Sequence, residues 1–385
     1  MASRPQDAST PDARAGAPGA WSAFLSDNPP GRRLLNGLLL AIGVALVLAP
    51  FLFPGTKALG VAGRICIFAV LVASYDLMLG YTGIVSFAHM MFFGMGAYGV
   101  AIALAKVGAG WGAVLLGAGA AALLAVVVAI GIGLLSLRVR AIFFSMITLA
   151  VASFAQIVAT QWRDLTGGED GLTFAVPELL RPGYRLLEEP LLGVKFNGTV
   201  LTYYLALAVC AALFLALLRI VNSPFGRVLQ AIRENEFRVE AMGYQVVAYR
   251  TLAFVIAAVV ASLAGGLMAL VLHYVGPDAT LSFSLMVDVL LMIVIGGMGT
   301  LYGAVIGALL VVIAEYYLQN VLGAAHGALA GLPLVAALFH PDRWLMWLGV
   351  LFVLIVIFFP QGIVGRLRAI SKEKSRESAA SGSVR

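Results

Sequence analysis

Apolar residues in this chain come in long blocks. They are not arranged as the one-sided stripe of a surface helix or the alternation of a half-buried strand. Ten such blocks run over residues 34–53, 61–79, 91–105, 111–135, 141–161, 201–220, 251–272, 286–297, 303–318 and 344–360. Most approach the ~20 residues a helix needs to cross a bilayer core. Three fall short: 91–105, 286–297 and 303–318. Short, glycine-interrupted segments are the sequence mark of discontinuous helices around a transport path. The pattern predicts an all-α polytopic membrane protein of about ten transmembrane segments, some short or broken. Residues 34–365 would form the transmembrane domain. A polar tail rich in Ala, Pro, Gly and Ser (1–33) would precede it, with no signal-peptide pattern, and a basic tail (366–385) would follow.

Composition agrees. Of 385 residues, 61% are hydrophobic and 11% charged, against about 45–50% and 25% in soluble domains. A soluble core, a disordered chain and a disulfide scaffold are all excluded. The two cysteines, Cys66 and Cys210, lie inside apolar blocks and read as packing residues. The net charge of +6 does not point to nucleic acid, because Lys and Arg flank the apolar blocks. With a cytoplasmic N-terminus and an even number of crossings, inside segments hold 17 Lys/Arg and outside segments 7. That bias predicts both termini inside and makes Arg138 and Arg140 an inner-surface stop.

A faint internal symmetry follows. Asp76 precedes the glycines Gly80 and Gly83 and then a short apolar block. Asp288 precedes Gly296, Gly297 and Gly299 and then another. If the halves are segments 2–5 and 7–10, their topologies are opposite, as in the inverted repeats of transporters. Chance similarity between glycine-rich apolar stretches is the competing reading. Asp76, Asp288 and Glu315 are ionisable groups in or at the ends of apolar blocks, where charge is costly. They serve either the path and its gating or hydrogen bonding between helices. Ser86 and His89, just beyond the first break, carry the same two readings.

Several motifs are excluded by context. Gly94-Met-Gly96-Ala-Tyr-Gly99 fits a dinucleotide fingerprint in form only, because it lies in an apolar block with no preceding strand. It and the series Gly299, Gly303, Gly307 read as close helix packing. No phosphate-binding glycine-lysine loop occurs, and none of the five lysines follows a glycine, so ATP chemistry would need another chain. The four histidines are dispersed, so no metal site is expected, and no catalytic constellation is visible.

Two polar stretches carry more. Residues 223–243 read as one amphipathic cytoplasmic helix. Ser223 would cap it, Pro224 would open it, Gly243 would end it and Glu234 would pair with Arg238. Val228, Ile232 and Phe237 would form its apolar face. A membrane-surface helix and a docking helix for a soluble partner both fit. In the acidic loop 162–200, Gly167, Gly168 and Gly171 around Glu169 and Asp170 predict a tight turn, either a rigid connector or a receiver of delivered substrate. Asn197-Gly-Thr matches a glycosylation sequon only weakly.

Five stretches together resemble permease subunits of branched-chain amino acid ABC transporters of the LivM type. They are LMLGYTGIVSFAHMMFFGMGAYG (77–99), TGGEDGLTF (166–174), SPFGRVLQAIRENEFRVEAMGY (223–244), GGMGTLYGAVIGA (296–308) and HPDRWLMWLGVLFVLIVIFFPQGIVG (340–365). They cover residues 60 to 365 in order and leave the N-terminal tail outside. The resemblance implies a bacterial inner-membrane subunit with no cofactor of its own. Its partners would be a second, LivH-like permease, two P-loop ATPase chains that use the ATP, and a periplasmic substrate-binding protein. Residues 223–243 would be the ATPase coupling helix, with Arg233, Glu234, Glu236, Arg238, Glu240 and Gly243 as its functional residues. The outer loop would meet the binding protein. Related permeases carry urea or short amides, and the turn at 166–173 favours the amino acid branch. An ion-coupled secondary carrier using Asp76 and Asp288 is the rival class; it would leave the polar helix at 223–243 without a role.

Overall fold

In the computed structural model, residues 33–52, 55–136, 141–184, 196–328, 338–358 and 362–365 are described. The tails expected at 1–33 and 366–385 lie outside them, apart from Arg33. So do Arg138, Arg140 and the middle of the 162–200 loop.

Among the described residues, each of the ten apolar blocks is helical over most of its length. The helices are α1 (Arg33–Val47), α3 (Thr56–Thr82), α4 (His89–Lys106), α5 (Trp111–Ser136), α6 (Ala141–Gln161), α8 (Gly198–Val221), α11 (Val246–Leu272), α13 (Phe283–Gly296), α14 (Leu301–Ala328) and α15 (Trp344–Phe358). The short elements α2 (Ala49–Leu52), α7 (Arg163–Thr166), α9 (Pro224–Glu234), α10 (Glu236–Ala241) and α12 (Pro277–Thr280) join them. Among the described residues, seven helices are long and apolar enough to cross a membrane. Large apolar side chains such as Leu115, Leu123, Phe143 and Phe154 on α5 and α6 point outward, as a lipid solvent requires. Helical backbone bonding leaves no polar main-chain group for lipid to satisfy. Hydroxyls inside helices bond back one turn, as Thr82 does to the Met78 carbonyl (2.6 Å) and Thr251 to Val247 (2.8 Å).

The block at 303–318 belongs to a 28-residue helix rather than a short one. Glu315, Gln319 and Asn320 end the apolar run, but all three are compatible with helix, so the helix continues. The shortest membrane helix of the second half is α13, with 14 residues.

Element lengths echo one another between segments 2–5 and 7–10. Helices α3 and α11 each have 27 residues, and each ends on a left-handed C-cap, Gly83 (φ 74°) and His273 (φ 56°). An irregular link follows each, then a shorter helix (α4, α13) and a long one (α5 with 26 residues, α14 with 28). The halves exchange partners: α11 packs on α4 and α5, while α3 packs on α13 and α14. The two aspartate–glycine breaks are not each other's mates, however. They meet at one end of the bundle, where an inversion would set them at opposite ends.

Small residues make these crossings close. A Cβ on Gly96 of α4 would collide with the Ser262 carbonyl on α11, and one on Gly265 with the Phe93 carbonyl. On α14, Gly303 and Gly307 face the Gly296 and Met292 carbonyls of α13, while Gly299 lies before the helix, in the turn. Asn197 of the sequon serves as the N-cap of α8, its side chain accepting the Val200 N–H at 3.2 Å. Cys66 and Cys210 are buried and free. They line a crevice of about 320 Å³ between α1, α3, α8 and α14.

Candidate functional site

The first break forms where α3 ends. Gly83 takes the left-handed conformation, and its N–H bonds to the Met78 carbonyl, a glycine-closed C-terminus. Such an end leaves its last carbonyls without helical donors. One of them, Gly80 O, accepts a hydrogen bond from Arg233 Nη1. Arg233 stands in the last turn of α9, so the surface element reaches directly into the end of a membrane helix. A cation there also faces the negative end of the α3 dipole.

The second break lies against the first. Helix α13 stops at Gly297 (φ 113°), and the chain turns through Gly299 (φ 78°) before α14. The Gly299 N–H bonds to Asp76 Oδ1 at 2.9 Å. Asp76 is 1% exposed, and its Oδ2 has no hydrogen-bond partner among the described residues. Both glycines are required. A Cβ on Gly80 would overlap the Gly299 nitrogen and the Asp76 carboxylate, and one on Gly299 would come within 2.9 Å of Arg233 Nη1. Gly83 backs the Arg233 stem, and Gly362 of the C-terminal segment closes over Gly297. Asp76, Gly80, Gly83, Gly297 and Gly299 are thus one junction, with Gly296 just outside it, facing Gly303.

Ser86, His89 and Asp288 are elsewhere. His89 Nε2 lies 2.9 Å from Ser74 Oγ and 3.3 Å from the Leu71 carbonyl, inside the core. Ser86 Oγ accepts the Ala88 N–H at 3.3 Å and helps start α4. Asp288 is half-buried on α13. It acts electrostatically on Glu315 of α14, as does Arg64 of α3. Sequence reading missed Arg64, although a lone arginine within an apolar block is itself a signal.

The links before α4 and α13 also meet, through Phe87 and Phe283, whose ring centroids are 5.9 Å apart. Around them Met90, Ser153, Gln156, Ser282 and Met286 form a narrow cleft between α4, α6 and α13. Neither phenylalanine was singled out from sequence, since Phe is unremarkable in apolar text.

The predicted helix at 223–243 is two helices. Asn235 leaves helical geometry (φ −159°, ψ 97°), and its side chain caps α10 by accepting the Arg238 N–H at 3.0 Å. The break removes the expected Glu234–Arg238 register. Glu236 pairs with Arg250 of α11 instead, in a fork of 2.7 and 3.1 Å. Ser223 holds the N-cap position, but its hydroxyl donates to the Ile220 carbonyl. Pro224 opens α9, and Gly243 (φ 91°) follows α10 as expected. Leu229, Ile232 and Val239 form the buried face, while Phe237 is 83% exposed. Arg233, Glu234, Arg238, Glu240 and Met242 are exposed as well.

At the other end of the bundle, Gly167, Gly168 and Gly171 are all left-handed and fold Glu169 and Asp170 into a single 3₁₀ turn. Strand β1 (Leu172–Thr173) then pairs antiparallel with β2 (Tyr274–Val275), and the Tyr274 hydroxyl donates to the Asp170 carbonyl at 3.2 Å. The turn is thus pinned to the link between α11 and α13. His273, just before β2, is half-buried, and that burial lowers its pKa.

Residues 57–358 match the family described as branched-chain amino acid transport system, permease component. This chain belongs to that permease family. The matched span takes in the α3 and α13 breaks and the α9–α10 pair, so these are features of a permease. Among curated relatives, the high-affinity branched-chain amino acid transport system permease protein LivM of Salmonella typhimurium is 26% identical over 352 residues. The match covers 88% of this chain and 77% of that protein. LivM of Escherichia coli is 26% identical over 349 residues, covering 88% and 76%. BraD of Pseudomonas aeruginosa is 24% identical over 326 residues, covering 78% and 92%. No solved structure matches the permease.

Proposed function

We propose that this permease is one of two membrane chains of an ATP-driven importer for branched-chain amino acids. A second permease, two P-loop ATPases and a periplasmic binding protein complete the machine. The chain sits in a bacterial inner membrane with both termini cytoplasmic. The observation that carries the reading is Arg233. A surface element with exposed Phe237 and Met242 sends one side chain into the meeting point of two broken membrane helices. This is the geometry that converts a push from a soluble motor into motion of membrane segments.

In this reading α9 and α10 seat in a groove of the ATPase. Phe237 and Met242 supply the apolar contact, and Glu234, Arg238 and Glu240 supply charge. Glu236 does not face the partner; its fork to Arg250 welds α10 to α11. ATP-driven closure of the motor moves α9, α10 and α11 as a unit and shifts the halves between inward- and outward-open states. The glycine turn at 167–171 meets the binding protein on the opposite side. The path runs past Phe87 and Phe283, whose cleft mixes apolar walls with serine and glutamine, matching an apolar side chain on a polar amino acid.

Purifying the tagged chain from its native membrane in mild detergent, with mass spectrometry of what accompanies it, tests the reading. A second permease and P-loop ATPases are the expected companions. A chain that purifies alone, or only with copies of itself, contradicts it.

A further inference from the structure

We propose that Arg233 is a movable latch between the coupling helix and the two breaks, holding the Gly80 carbonyl in this state and the Asp76 carboxylate in the other. This rests on α9 and α10 being the motor's contact.

The geometry sets the two positions close together. Arg233 Nη1 bonds to the Gly80 carbonyl and Asp76 Oδ1 to the Gly299 N–H, and Gly80 and Gly299 touch each other. Arg233 is the cation that acts on the Asp76 carboxylate, and the Gly299 and Thr300 N–H groups face the same carboxylate. One carboxylate oxygen is nevertheless left without a hydrogen bond in a fully buried site. An unmatched buried carboxyl oxygen is costly, and a guanidinium is the donor best shaped to satisfy both oxygens of the group. Arg233 spends its Nη1 on a neutral carbonyl instead. The arrangement is therefore one of two available to the same side chain.

The switch has a structural reason to be stepwise. The residues of this contact, Gly80 and Gly299, bring no side chain of their own to it. Displacing α9 by the motor draws Arg233 from the α3 terminus, which loses its cap. If Arg233 then takes up Asp76, the carboxylate no longer holds the Gly299 N–H alone, and the α13–α14 turn is free to separate from α3. One side chain thereby couples the position of α9 to whether the breaks are joined. Arg233 is a positioning residue that need not touch substrate.

The test uses the complete transporter in proteoliposomes, with Arg233→Ala, Arg233→Lys and Asp76→Asn beside the wild type. Three readouts are taken: ATPase stoichiometry, ATP hydrolysis and leucine taken up per ATP hydrolysed. Arg233→Ala and Asp76→Asn should keep the ATPase bound and hydrolysing, while uptake per ATP falls about tenfold. Arg233→Lys, which keeps the charge but not the fork, should fall between. Asp76→Asn preserves the acceptor for Gly299 and the side-chain volume, so it carries the test even if Arg233→Ala fails to assemble. Wild-type uptake per ATP in Asp76→Asn overturns the latch. Loss of the ATPase in both Arg233 variants also overturns it, making Arg233 a docking residue. A wild-type chain that holds no ATPase overturns the reading of α9 and α10 and the latch with it.

Discussion

Asp76 Oδ1 accepts the backbone N–H of Gly299 across 223 residues of sequence, and this bond joins the two helix breaks of the permease into one junction. Each break alone is an ordinary glycine-closed terminus. Together they form a place where α3, the α13–α14 turn and the last turn of α9 meet, α9 through the Arg233 side chain. Predictions follow from what each contact requires.

Gly80→Ala should damage the junction severely, because its Cβ meets the Gly299 backbone nitrogen, which cannot turn aside, and displaces the Asp76 carboxylate that bonds to it. Gly119→Ala in α5 meets nothing within 4 Å and should be neutral or stabilising by up to about 1 kcal/mol, from helix propensity. Fluorescence-detected size exclusion after a heating series should separate the two, with Gly80→Ala lost at lower temperature.

The Glu236–Arg250 fork should matter to both stability and coupling. Arg250 is 15% exposed and Glu236 44%. Breaking a fully buried pair costs about 3–5 kcal/mol, and the half-exposed Glu236 reduces that to roughly 1–2 kcal/mol. Glu236→Gln and Arg250→Gln, with the double variant, form a cycle in thermal unfolding. A coupling energy near zero would mean that α10 is held to α11 by packing alone.

Gly171→Ala should uncouple the outer turn. Gly171 needs φ 71°, and a Cβ there would strike the Val275 carbonyl. Stimulation of ATP hydrolysis by the binding protein should fall, while basal hydrolysis stays. Undiminished stimulation would assign the turn to a merely connecting role.

The pair Phe87 and Phe283 should set the seal of the path. Phe283→Ala opens the cleft it shares with Met90 and Met286. Leakage of preloaded leucine from proteoliposomes without ATP should rise. Leakage equal to wild type would place the path elsewhere.

How much of this was legible in the sequence depends on the kind of signal. Helices α1, α3–α6, α8, α11 and α13–α15 were readable because a membrane helix writes its position as an apolar block, although the length of α14 was not. Asn235 was not readable as a break. Asparagine is tolerated in helices, and only its cap of α10 shows why the chain leaves helical geometry there. The two aspartate–glycine stretches read as symmetry mates, yet their breaks meet in one junction. Asp76 and Gly299 were each marked by type, but their contact depends on tertiary placement that no local pattern encodes. Arg233 was noted as a surface charge. It is exposed, as expected, but its Nη1 also reaches the Gly80 carbonyl, and that reach depends on how α9 packs through Leu229 and Ile232 rather than through the expected face with Phe237.

The central claim is that ATP hydrolysed by partner chains drives substrate through this permease. Leucine uptake into proteoliposomes holding the purified transporter, with the binding protein outside and ATP inside, tests it most directly. Uptake should require both ATP and the binding protein and should be unaffected when proton and sodium gradients are collapsed. Uptake that proceeds without ATP and stops when an ion gradient is dissipated would contradict the account and return Asp288 and Glu315 to the centre of the mechanism.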